Sequence, residues 1–130
     1  MCLSRATDTG QRFTRSQRLL KPSEFKRIFD KTQKKVVTTN FVLLSSGSEH
    51  EQHRLGLIVA KKRLKLAVER NRIKRLCRET FRTSSMQAPA IDVIVMLRQS
   101  IGDVHDPALA VELQKALQKI DLFYRRGAQP

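Results

Sequence analysis

The chain has 130 residues, 40% hydrophobic and 29% charged, which suits one compact domain with a single core and excludes a disordered chain. Lys and Arg number 26 against 12 Asp and Glu, a formal net charge of +14 with a pI near 10.8, and so large an excess points to a polyanionic partner. No apolar run reaches the roughly 18–20 residues of a membrane span, and a membrane-surface helix would need a broad apolar face that no core occupies.

Residues 1–17, MCLSRATDTGQRFTRSQ, lack the apolar stretch of a secretion signal. They read as a basic tail, although their Arg- and Ser/Thr-rich composition is shared by organelle transit peptides. LLKPSEFKRIFD predicts a short helix from near Pro22, whose fixed φ suits a first turn. Phe25, Ile28 and Phe29 recur there at helical spacing and share one face. KVVTTNFVLLSS, β-branched and aromatic, predicts one or two strands. The polar run SSGSEHEQH reads as a solvated hairpin loop, and His50 and His53 within it do not make a zinc site. RLGLIVA is a near-continuous apolar run, as expected of a strand covered on both faces, and IDVIVMLR at 91–98 is another.

DPALAVELQKALQKIDLFYRR carries a helix signature. Asp106 is placed to cap, Pro107 sits at the first turn, and Leu109, Leu113, Ala116, Leu117, Ile120 and Phe123 form a stripe. Residues 125–130 read as a tail. Cys2 and Cys77 offer neither a disulfide framework nor metal-ligand spacing, and Cys77 reads as a small core hydrophobe in a reducing cytosol. The expected order is helix, two or three strands, basic helix, strand, helix. That is an α+β sandwich with helices on one small sheet.

The basic stretch is VERNRIKRLCRETFR, residues 68–82, of which 71–82 are placed on a helix. At about 100° per residue, Ile73, Leu76, Cys77, Thr80 and Phe81 fall on one arc, facing the sheet. Asn71, Arg75, Arg78 and Arg82 fall on the other, with Arg72 and Lys74 at its flanks. Between Lys61 and Arg82 stand ten basic residues and two acidic ones, Glu69 and Glu79, a net +8 in 22 residues. A merely solvated face would alternate signs. The planar Arg fork suits bidentate phosphate contacts, so this face points to nucleic acid. No second helix completes a helix-turn-helix, and neither an RNA-recognition-motif aromatic sheet nor a GxxG loop is present. From composition and spacing, the chain reads as a basic α+β protein binding structured RNA through phosphate contacts, with a DNA-binding regulator as the alternative. Its acids are scattered and no His lies in a motif, so no catalytic residue is expected.

LGLIVAKKRLKLAVERNRIKRLCRETFR resembles the signature of the bacterial ribonuclease P protein component: a buried strand, a Lys pair, then Arg-Asn-Arg-x-Lys-Arg-x-x-Arg on a helix. RLLKPSEFKRIF, NFVLL, DVIVMLR and the C-terminal stripe are similar to the family's first helix, an early strand, its last strand and its closing helix. The resemblance covers roughly residues 18–124. It implies one RNA-binding domain with element order αβββαβα, a two-layer α/β sandwich in which a left-handed crossover surrounds the basic helix.

It also implies a function. Ribonuclease P removes the 5′ leader of precursor tRNA, and its RNA subunit performs the chemistry with Mg²⁺ held mainly on RNA. The protein would be a cytoplasmic accessory subunit, with the RNA subunit and precursor tRNA as partners and neither membrane nor DNA among them. Lys61, Lys62, Arg70, Asn71, Arg72, Lys74, Arg75, Arg78 and Arg82 would bind the RNA subunit. Phe25, Phe29 and Arg98 would line the leader cleft, although ordinary core packing accounts equally for the two aromatics. The family often carries an aromatic on the cleft strand where this chain has Leu44. A structural RNA-binding protein, such as a ribosomal component or RNA chaperone, would share the charge pattern.

Overall fold

Successive side chains of a strand point to opposite faces, and in this molecule that alternation sorts the helices into two groups. The computed structural model describes residues 22–47, 53–84 and 90–126. Its elements are α1 (Pro22–Asp30), β1 (Lys34–Val37), β2 (Phe41–Gly47), β3 (Arg54–Ile58), α2 (Ala67–Thr83), β4 (Ile91–Leu97) and α3 (Ala108–Arg125). The order αβββαβα is the expected one. The basic tail 1–17, Cys2, His50 and residues 127–130 lie outside the described residues.

The four strands form one sheet in the order β1-β2-β4-β3. β1 and β2 are an antiparallel hairpin, β2 and β4 are antiparallel, and β3 and β4 are parallel. The expected hairpin between β2 and β3 is therefore not formed, because β4 lies between them. Nor is SSGSEHEQH wholly a solvated loop. Ser45 and Ser46 are buried inside β2, and the Nδ1 atom of half-buried His53 accepts the Ile91 N–H at 3.0 Å. β3 is an edge strand, so Leu55 is buried while Leu57 and Ile58 are only partly covered. The strand buried on both faces is β4.

On one face, Phe41, Leu43, Leu55, Val93 and Val95 pack against α2 and α3. α2 contributes Ile73, Cys77 and Phe81, and α3 contributes Leu109, Leu113, Ala116, Leu117, Ile120 and Tyr124. This is the main two-layer sandwich. Each fully buried Ile or Phe of this kind stabilises the fold by about 1.5–3 kcal/mol relative to exposure. The other face carries a smaller cluster, Ile28 of α1 against Leu44 and Ile94.

Two details of α3 differ from expectation. Asp106 does accept the Ala108 N–H at 2.9 Å, but Pro107 is the residue at the cap and Ala108 the first of the helix. At the far end Tyr124 rather than Phe123 enters the core. Its hydroxyl donates to Ser45 Oγ at 3.3 Å, which gives a buried phenol the partner it needs. Phe123 packs edge-on against it, with centroids 5.0 Å apart, and sits beneath the Lys34 ammonium.

A carboxylate ties α3 to the β1–β2 turn. Glu112 accepts from the Asn40 backbone N–H at 2.7 Å, from Asn40 Nδ2 at 2.9 Å and from the Thr38 hydroxyl. No described helix is long and apolar enough to cross a membrane.

Candidate nucleic-acid interface

α2 forms because its apolar residues repeat at three- and four-residue steps, and burying them fixes which side stays outside. Ile73, Cys77, Thr80 and Phe81 are buried, while Asn71, Arg72 and Arg75 are exposed on the opposite side. Lys74, Leu76 and Arg78 sit half-buried along the margins. The helix is longer than the 71–82 segment, because Ala67–Arg70 extend it by a turn.

The expected RNA-binding residues divide by what the fold already asks of them. Lys61 and Lys62 are exposed in a turn closed by the Arg63 and Leu64 N–H groups on Ala60 O, at 3.0 and 3.3 Å. Arg70 Nη1 donates to Leu64 O and Lys65 O, both at 2.8 Å, so it latches the incoming chain onto the first turn of α2. Arg82 Nε donates to Glu79 Oε2 at 2.8 Å, one helical turn away and exposed. That hydrogen bond, with the charges of Arg82 and Arg75, holds the Glu79 carboxyl below the usual carboxylate range. Among the described residues, Lys61, Lys62, Arg72, Lys74 and Arg75 make no ion pair. Burial pushes the Cys77 thiol up to about 12, and it serves the core as a small apolar side chain.

The second candidate surface lies on the α1 face of the sheet. Phe25 is half-buried against Ile28, Leu44 and Ile94, while Phe29 remains 43% exposed. Val42, Ile58 and Met96 are only partly covered on the same face, so an apolar trough runs from α1 across β2, β4 and β3. Leu44 is buried beneath α1 and offers no face for stacking. Arg98 follows β4 and is exposed, with Nη1 donating to Thr38 O at 3.2 Å. It is held at the β1–β2 turn. The residues not anticipated here are Val42, Ile58 and Met96. Their strands are apolar on both faces, so only the position of α1 over the sheet singles them out.

An ionic cluster, also unanticipated, fixes α1 over this trough. Arg54 Nε and Nη2 donate to the two Asp92 oxygens, each at 2.9 Å, and Arg54 Nη1 donates to Glu24 Oε2 at 2.5 Å. Arg27 adds a longer contact to Asp92 at 3.4 Å and donates to Gly47 O at 3.2 Å. Among the described residues no three His, Cys, Asp or Glu side chains gather where they could hold a metal ion.

The family model for ribonuclease P matches residues 13–121. The ribonuclease P protein component of Pseudomonas fluorescens is 40% identical over 111 residues, covering 85% of this chain and 84% of its own. That of a Psychrobacter species is 39% identical over 115 residues and 88% of each chain. Among solved structures, the RNase P protein of Staphylococcus aureus aligns with a TM-score of 0.63 at 32% identity, covering 80% of this chain and 91% of its own. The Thermotoga maritima RNase P protein aligns at 0.58 and 26% identity, covering 79% and 93%.

Proposed function

The chain belongs to the ribonuclease P protein family, and from that membership we propose that it is the accessory protein of a ribozyme endonuclease that removes the 5′ leader of precursor tRNA. The observation that carries this reading is the side of α2 bearing Asn71, Arg72 and Arg75. It is exposed, docked from behind by buried residues, and its Arg72 and Arg75 form no ion pair among the described residues.

The protein supplies charge and position, and the RNA subunit supplies the reaction. Arg72, Lys74 and Arg75, with Lys61 and Lys62, neutralise phosphates of the RNA subunit and release its condensed counterions. Because α2 is anchored by buried residues, the backbone that carries Arg72, Lys74 and Arg75 is fixed before binding, which limits the ordering cost. Arg70 contributes mainly by fixing the approach to the helix. Arg78 and Arg82 extend the same stripe.

The leader of precursor tRNA lies on the α1 face, where Phe29 presents an open ring and Phe25 packs against Ile28, Leu44 and Ile94. A single-stranded segment suits this trough, because unstacked bases have apolar faces to bury. Arg98 meets the strand near the β1–β2 turn. The two nucleic acids thus occupy opposite sides of the sheet. Divalent metal belongs mainly to RNA in this reading. The complex works in the cytoplasm.

Reconstitution tests the proposal. The chain alone leaves precursor tRNA intact, and with its RNA subunit at low Mg²⁺ it restores leader cleavage. Failure to stimulate would remove the reading, and co-purification with ribosomal RNA alone would favour a structural RNA-binding role.

A further inference from the structure

Beside the basic stripe, α2 faces the loop that leads from β4 to α3, and a cleft of about 470 Å³ opens between them. That volume lies within the range of small-ligand sites, about 300–1,000 Å³. The cleft is not lined by cations alone. Arg72 and Arg75 stand along it, but so do Leu66, Val68, Glu69 and Asp103. Leu66 is 58% and Val68 72% exposed, so the cleft offers uncovered apolar surface beside its charges.

From these residues we infer that the cleft receives one unstacked nucleotide of the RNA subunit, with its base inside and its phosphate at the rim. The inference rests on the RNA-subunit reading of α2. A phosphate alone would not explain the site, because Glu69 and Asp103 would repel it and Leu66 and Val68 would offer it nothing. A base suits both pairs. Its ring covers the aliphatic side chains, and the carboxylates accept N–H groups from its edge. The occupant is therefore a base with an exocyclic amino group, and uracil is disfavoured. The flanking phosphate meets Arg72 and Arg75.

The walls are fixed before binding. Arg70 latches the Leu64 and Lys65 carbonyls, which holds Leu66 at the head of α2. Across the cleft, Ile101 and Val104 are buried in the core, and Asp103 Oδ1 accepts the His105 N–H at 2.9 Å. Leu66 caps α2 without a side-chain acceptor, so helix N–H groups near the rim add to its attraction for an anion.

The test reconstitutes the holoenzyme from the full chain and its RNA subunit and compares wild type with the double variant Leu66→Ser/Val68→Ser. Both residues are exposed, and matched thermal melts check that the variant is folded. Affinity for the RNA subunit should fall about tenfold, or roughly 1.4 kcal/mol, with the salt slope unchanged because no cation is removed. A photocrosslinker replacing Val68 should tag one unpaired, amino-bearing nucleotide. Changing that nucleotide to uridine should weaken wild type and leave the double variant unaffected. Undiminished affinity of the double variant, or crosslinks confined to paired nucleotides, would overturn the inference while leaving the accessory-subunit reading intact. If wild type does not bind the RNA subunit at all, both are overturned.

Discussion

Arg54 grips Asp92 through two parallel hydrogen bonds of 2.9 Å across the β3–β4 pair, and Asp92 is completely buried. The bidentate geometry satisfies both carboxylate oxygens from one guanidinium, and the same Arg54 reaches Glu24 on α1. One side chain thereby joins an edge strand, the central strand and the helix above them.

Removing Arg54 should be costly for a specific reason. Arg54→Ala leaves the Asp92 carboxylate buried with only the longer Arg27 contact, and loss of one partner of a buried pair costs about 3–5 kcal/mol. Replacing both residues together, Arg54→Met with Asp92→Leu, should recover much of that loss. Urea unfolding measures each variant. A single variant within about 1 kcal/mol of wild type, the value of an exposed pair, would show that water already reaches the cluster.

The cations of α2 should be separable by salt. Arg72→Ala and Arg75→Ala should each lower the slope of log affinity against log salt by about 0.9 if each engages one phosphate. Arg82→Ala should have a smaller effect, because Glu79 already offsets part of its charge. Slopes identical to wild type for both Arg72 and Arg75 would mean that those side chains stay in solvent.

On the α1 face the two aromatics should part company. Phe25→Ala removes half-buried packing from the Ile28, Leu44 and Ile94 cluster and should lower stability. Phe29→Ala should leave the melting curve nearly unchanged and weaken binding of precursor relative to mature tRNA by about 1–3 kcal/mol if a base stacks on it. Equal losses for both substrates would assign Phe29 to packing alone.

Glu112 should make stability depend on pH at the acid end. Burial alone would raise its carboxyl, but the hydrogen bonds from Thr38 and Asn40 outweigh burial and hold it below the usual range. A carboxyl depressed in the folded state contributes stability above its unfolded pKa of about 4.3. That contribution is lost as pH falls through the lower folded value. Glu112→Gln should therefore be less stable than wild type at neutral pH, with the two converging in acid. Parallel stability curves from pH 7 to pH 3 would contradict this.

The basic helix was legible in sequence because burial of Ile73, Cys77, Thr80 and Phe81 at helical spacing needs no knowledge of the rest of the fold. Strand order was not. Local pattern marks β2 and β3 as strands but carries no statement that β4 inserts between them, since that pairing links segments far apart in the chain. The Arg54–Asp92 pair was hidden for the same reason. Asp92 is a polar intruder in IDVIVML, and only the parallel register sets it opposite Arg54. Tyr124 displaced Phe123 from the core through a hydroxyl that finds Ser45, a partner invisible to periodicity alone. In the candidate sites, the exposed residues of α2 followed from its buried ones, whereas Val42, Ile58 and Met96 required knowing which sheet face α1 leaves bare.

β4 turns Val93 and Val95 toward α2 and α3 while turning Ile94 and Met96 toward α1. Hydrogen-bonded along both its edges, it has little freedom to shear or bow. The strand therefore acts as the fixed jaw of a caliper: whatever rests on α2 and whatever rests on α1 are kept one protein thickness apart, at a spacing that neither can alter without breaking the sheet.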